Sequence, residues 1–231
     1  MAITNINPDK AGLPRWAEHG LFRSLSRYEG PAETAKMLLS GRWDFTPRRL
    51  WERVNAYNDE LLKYARRHYV DILTVVWSPG FSHQGDQIQW QILRDYIRKA
   101  HRRGIRIIAY HSLTNCFWQE MFAAEPKARQ WRQLSHDGGD VPYMAATYHG
   151  QVSRILLCVN NREWREYLKY KVRMALEAGV DGLFFDNLFS KCFCPICRQG
   201  FADYTRRLYG QAYEMPAPEP ISEAELQART G

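Results

Sequence analysis

The chain has 231 residues, a formal net charge of +7, 45% apolar and 25% charged residues. That composition is globular, and the length suffices to bury a substantial core in one ordinary domain. No apolar run approaches the roughly 18 residues of a membrane span, no secretory apolar core follows Met1, and no nucleic-acid-binding motif accompanies the basic excess.

Neither a membrane nor a nucleic acid is therefore expected as a partner. Lys99, Arg102, Arg103, Arg206 and Arg207 fall on helix-like segments and read as solvated faces. Five cysteines, an odd number, with three of them crowded together, point to a metal site in a reducing compartment; the cytoplasm is the default expectation.

Short apolar runs alternating with helical stretches imply a parallel sheet. Residues 20–27 read as a weak first strand. Pro47 stands where a first helical turn tolerates it and opens a helix running to about His68. Val70 to Trp77 is nearly continuous in apolar residues, as a buried parallel strand is. A Gly/Pro-bearing loop covers 78–85, and a helix over 87–103 is closed by Gly104. The next strand is 105–111. A long connection over 112–153 holds at most short helices, and loops of that length in compact domains usually serve function.

A helix over 162–178 closed by Gly179, a strand over 181–186 and a helix from Pro195 to Tyr209 complete the pattern. Asn160 and Asn161 suit N-terminal caps. The pattern is α/β with about four βα units, where a (β/α)8 TIM-type barrel needs eight. Residues 1–210 thus read as the N-terminal half of a barrel. Residues 211–231, with Pro216, Pro218 and Pro220 among glutamates, read as a tail or linker into a missing region. Unpaired strand edges at both ends would invite self-association, so a homo-oligomer is one expected state.

Cys192, Cys194 and Cys197 place three thiols on a loop entering a helix, as structural zinc sites do. Cys158, ending the apolar run Ile155-Leu156-Leu157, is the natural fourth ligand. Cys116 competes with it, and His83, His111 and His149 are weaker candidates. Four protein ligands leave no open position, so the zinc would be structural. The plainer alternative is a loop of free thiols.

Residues at strand C-termini line the mouth of a barrel. Here they are Trp77, Tyr110, His111, Asp186 and Asn187, with His83 and Asn115 in the following loops. This set offers an aromatic platform, polar donors and the carboxylate of Asp186, which suits a sugar, as does the supply of eight Trp and thirteen Tyr. The bland readings are a loop-capping Asp186 and a His111 that only satisfies backbone groups. Asp181, at the opposite strand end, reads as a stabilising residue.

Cys158-Val159-Asn160-Asn161, a helix holding Trp164-Arg165-Glu166-Tyr167, the strand end Asp186-Asn187, then Cys192-x-Cys194-x-x-Cys197-Arg198 and Leu208-Tyr209-Gly210 resemble the zinc-containing family 42 β-galactosidases over about residues 150–210. The resemblance implies that Cys158, not Cys116, joins the other three around zinc. That family's general acid is a Glu directly after the Asp-Asn pair; Leu188 stands there in this chain. Gly179-Val180-Asp181-Gly182, running on to Asp186, is similar to the fourth strand of the α-amylase superfamily, whose matching Asp is the nucleophile. The Arg two residues before it is Phe184 here. Phe184-Phe185-Asp186-Asn187 followed by Cys-x-Cys is also similar to glycosyl-hydrolase-like barrels.

The expectation is a glycoside-hydrolase-like protein acting on a carbohydrate glycosidic bond, with Asp186 catalytic. Trp77, His83, Tyr110, His111, Asn115 and Asn187 would bind the sugar, and Cys158, Cys192, Cys194 and Cys197 would hold a structural zinc. Glycoside hydrolysis uses two carboxylates, and the second would come from a later strand. A non-catalytic carbohydrate-binding barrel or inactive homologue is the alternative.

Overall fold

The computed structural model describes residues 24–26, 56–143, 147–148, 151–152 and 154–217, with side chains in the second and last of these ranges and in residue 143. The architecture is α/β, built on a four-stranded sheet in which every pair of neighbours is parallel. Its strands are β1 (Ser24–Ser26), β2 (Ile72–Ser78), β3 (Arg106–Ser112) and β8 (Gly182–Asp186). These are the four runs expected from the sequence, in the expected places.

Of the expected first long helix, residues 47–55 lie outside the described residues. The described part, α1 (Asp59–Arg67), begins only at Asp59. Its start is set by Asn58, whose side chain accepts from the Leu61 N–H at 3.1 Å, with Asp59 and Glu60 favouring the positive helix terminus. The second helix, α2 (His83–His101), starts four residues ahead of expectation. The Ser82 hydroxyl accepts from the Gly85 N–H at 2.9 Å, and this cap overrides the glycine that the sequence reading placed in the loop.

The long connection holds β4 (Asn115–Cys116), α3 (Trp118–Ala124), a 3₁₀ turn (Pro126–Trp131) and a small hairpin of β5 (Thr147–Tyr148) and β6 (Gln151–Val152). β7 (Ile155–Leu156) then pairs antiparallel with β4. α4 (Arg162–Glu177) and α5 (Pro195–Tyr209) follow as expected; Asn161 caps the first by accepting from the Trp164 N–H, and Gly210 closes the second in the left-handed region. His149 and residues 218–231 lie outside the described residues.

Alternation along the strands decides what faces where. Leu73, Val75 and Trp77 of β2, Ile107 and Ala109 of β3, and Leu183 of β8 pack with Leu62, Leu93, Tyr96, Ile97 and Ala175 of the helices in the main core. Residues of the opposite parity (Tyr110, Phe184 and Asp186 among them) face away from the helices. A second core under the connection joins Cys116, Met121, Phe122, Trp131, Ile155, Leu157 and Trp164. A Cβ at Gly182 would meet the end of the Ile108 side chain at 2.7 Å, so a larger residue there would make that side chain turn aside. No helix among the described residues is long and apolar enough to cross a membrane.

Candidate active site and four-cysteine centre

At the C-terminal ends of β3 and β8, on the face away from the helices, polar side chains converge. The Asn187 backbone turns into the left-handed region (φ 58°), which swings its side chain back over the strand ends. Its Nδ2 donates to the Tyr110 hydroxyl at 2.6 Å and to Ser112 Oγ at 3.3 Å, while its Oδ1 accepts from the Tyr143 hydroxyl at 2.5 Å. The Asn187 N–H donates to Asp186 Oδ1 at 2.7 Å, and the Thr114 hydroxyl donates to the Asn187 carbonyl. Asn115 Nδ2 donates to Ser112 Oγ at 2.5 Å. Gly80, at φ 117°, lets the neighbouring loop approach the Asn115 carbonyl where a Cβ would sit only 2.6 Å away.

Burial, then the nearby Asp186 charge and a hydrogen bond to that carboxylate, raise the Tyr110 pKa well above the ordinary phenol value. Tyr110 therefore stays a neutral donor at any physiological pH. The charge of Arg154 works the other way on both Tyr110 and Tyr143. Its guanidinium lies 4.4 Å from the Phe117 ring centre and 5.7 Å from that of Tyr143. Asp186 is half-buried, and exposed rings flank it: Phe184 meets Tyr110 edge-on at 5.7 Å, and Phe189 meets Tyr143 at 5.6 Å. The arrangement offers one carboxylate fixed by two donors, beside aromatic faces open to solvent.

The residues expected at the mouth divide between the two faces of the sheet. Asp186, Asn187, Tyr110 and Asn115 come together. Trp77 and His111 do not: both are fully buried toward the helices. Trp77 stacks on Trp90 at 5.5 Å and donates its indole N–H to the Lys171 carbonyl at 3.0 Å. His111 packs near Phe185 at 5.8 Å, and burial followed by the Lys171 charge lowers its pKa to about 3. His83 stacks on Tyr167 at 3.6 Å; burial and then Lys171 lower its pKa to about 4. The sequence reading omitted Ser112, Tyr143, Arg154, Phe184 and Phe189. Phe184 could have been found, because it sits two residues before Asp186 and so shares its face.

The four cysteines converge as expected. The Sγ atoms of Cys158, Cys192, Cys194 and Cys197 all lie within 4.8 Å of one another and all four residues are buried. Cys158 is 3.4 Å from Cys197 and 3.8 Å from Cys194. Metal–thiolate bonds of about 2.3 Å in a tetrahedron set sulfurs about 3.8 Å apart. The donor set and spacing therefore fit a soft metal ion closed off by four thiolates. Cys192 is held well below the usual thiol value, chiefly by the hydrogen bond from Cys158. Cys116 lies apart, in the second core.

Gln133 links the two clusters. Buried between them, its Nε2 donates to the carbonyls of Leu157 at 3.1 Å and Phe189 at 2.6 Å, and its Oε1 accepts from the Lys191 N–H at 2.9 Å. The loop from Asn187 to Cys192 is thus tied at its middle to the segment that carries Cys158.

No protein-family model and no curated protein match the chain. Among solved structures it is similar to an α-galactosidase from Thermus thermophilus (18% identity, TM-score 0.49, covering 84% of this chain and 38% of that one). It is also similar to a maltogenic α-amylase from Thermotoga neapolitana (10%, 0.45, 82% and 43%) and a debranching enzyme from Nostoc punctiforme (19%, 0.44, 91% and 51%). The chain therefore spans between 38% and 51% of the length of these structures.

Proposed function

We propose that the chain is a glycoside-hydrolase-like protein that acts on a carbohydrate glycosidic bond through Asp186, with a structural zinc at the four cysteines. One observation carries the reading. Asp186 ends a parallel strand on the face away from the helices, its carboxylate receives the Asn187 N–H and the Tyr110 hydroxyl, and aromatic rings stand open beside it. A carboxylate so held is suited to stabilise or attack an oxocarbenium-like centre. Phe184, Phe189 and Tyr143 would present ring faces to the sugar. Asn187, Asn115 and Tyr110 would fix the carboxylate and the polar rim. When bound, zinc would tie the loop after β8 to the segment ending at Cys158, and a reducing, cytoplasmic setting would keep its thiols available.

A second reading is a carbohydrate-binding protein without turnover. It is favoured by Leu188, 63% exposed directly after the Asp-Asn pair, and by Asp186 being the one carboxylate in this cluster among the described residues. Hydrolysis of a panel of aryl glycosides by the wild type and by Asp186→Asn separates the two. The hydrolase reading expects turnover that falls at least about a hundredfold in the variant, with folding and zinc content unchanged. Turnover that survives in Asp186→Asn sinks the assignment of that residue. Sugar binding with no turnover in either protein selects the second reading.

A further inference from the structure

A cavity of about 640 Å³ is lined in part by Trp118, Phe122, Arg129, Arg132, Asp140 and Ile155. It belongs to the long connection rather than to the strand ends. Two of its lining residues neighbour the candidate site in the chain: Pro142 precedes Tyr143 and bridges to Ile155, and the Tyr143 N–H donates to the Arg154 carbonyl at 3.0 Å.

Its chemistry differs from that at Asp186. Trp118 and Phe122 give it ring surface, as a sugar-binding cavity needs. Two guanidiniums share it with one carboxylate. Arg132 is already engaged, donating to Asp140 at 2.6 Å and, through Nε, to the Arg129 carbonyl. Arg129 has no acidic partner among the described residues; its guanidinium rests 5.0 Å from the Phe122 ring centre and is exposed. The cavity thus carries a surplus positive charge next to an aromatic platform. Arg154, outside this lining, rests against the Phe117 and Tyr143 rings.

We infer that this cavity is a subsite for an acidic saccharide, in which a pyranose stacks on Trp118 and its carboxylate pairs with Arg129. The inference rests on the carbohydrate reading above and names the substrate class. A guanidinium presents two parallel N–H donors that match a carboxylate and are wasted on a hydroxymethyl group. An uncharged sugar would leave Arg129 as it is; a uronate gains a charge-assisted pair in a partly desolvated cavity.

The test compares trigalacturonate with the neutral galactose trisaccharide of the same linkage, which differ only at C6. Binding is followed by the ¹⁵N–H resonance of the Trp118 indole, assigned with Trp118→Phe, on the full chain. Tighter binding of the acidic trimer by on the order of tenfold, weakened by salt and with the Trp118 signal shifting, is expected. Arg129→Gln should bring the two trimers to equal affinity, and Arg129→Lys should keep only part of the preference. Arg129 is exposed, so neither variant should unfold the chain. Equal affinity in the wild type, or an acidic preference that persists in Arg129→Gln, overturns the inference. Hydrolysis of neutral glycosides with no acidic preference would overturn it while leaving the proposed function standing. Arg129-dependent uronate binding without turnover of any glycoside would uphold it while the hydrolase reading falls.

Discussion

Two polar clusters sit back to back at the C-terminal ends of the same strands, and they are held by opposite means. Behind the sheet, Lys171 and Asp86 form an ion pair at 2.7 Å with both side chains fully buried, and Lys171 also donates to the Phe81 carbonyl. Trp77, Trp90, Tyr167 and His111 close around it. In front of the sheet, Tyr110, Asp186 and Asn187 are held by loops that arrive from three directions and are tied down at Gln133 and the four cysteines. Consecutive residues feed the two clusters: Tyr110 goes forward and His111 back. A strand end by itself therefore says little about function; the parity of the residue decides which of the two environments it meets.

The cysteine centre should give the largest effect and tests whether the front cluster depends on its staples. Stoichiometric zinc is expected by elemental analysis of the purified chain, and Cys197→Ser or a strong chelator should remove it. Because the binding free energy of a closed thiolate site is folding free energy, its loss should lower the chemical-unfolding midpoint more than any other change here. If stability and metal content are indifferent to Cys197→Ser, the front loops are held by packing alone.

The rear cluster comes next. Lys171→Met strands the Asp86 carboxylate in the core and should cost about 3–5 kcal/mol by urea titration. Adding Asp86→Leu should recover most of that loss. A Lys171→Met chain as stable as wild type would mean that Asp86 is not confined to the core.

His111 provides a pH test of the same region. Its pKa is lowered from 6.5 to about 3 in the folded chain. The unfolded chain therefore binds the proton first, so the stabilisation is complete above pH 6.5 and is lost as pH falls toward 3. Each pH unit in that window should cost about 1.4 kcal/mol from this residue. Burial and then the Lys171 charge both disfavour the imidazolium, and the Phe185 ring of β8 stands 5.8 Å from the imidazole. His111→Phe should flatten the pH dependence between 6.5 and 4; an unchanged slope would assign it to other groups such as His83.

How much of this was legible beforehand follows from range. The four strands were readable because each is a local apolar run, and the cysteine centre because three of its four thiols fall within six residues of chain. The break before Asp59 was not, since the Asn58 cap is a single side-chain contact within an otherwise helix-like run; Pro47 lies outside the described residues. Trp77 and His111 were placed by strand position without their parity. Tyr143 and Gln133 lie in the long connection, where no periodicity applies and only tertiary contacts give them a role. Asp186, Asn187 and Tyr110 were readable as strand-end residues; Ser112 and Tyr143, which also hold the Asn187 side chain, were not.

Gln133 offers the smallest and most discriminating effect. Its side chain joins Leu157, Phe189 and Lys191, so it couples the cysteine centre to the strand end without touching either metal ligand or carboxylate. Gln133→Leu preserves most of the volume and removes the three bonds, leaving two carbonyls and one N–H short of partners. A stability loss of about 1–3 kcal/mol is expected, with zinc content unchanged. If the loop is the link between the clusters, amide exchange should quicken from Asn187 to Lys191 and stay as it was around Lys171 behind the sheet. Faster exchange on both faces alike would mean that the two clusters are one cooperative unit, and the division between a packed rear and a stapled front would fail.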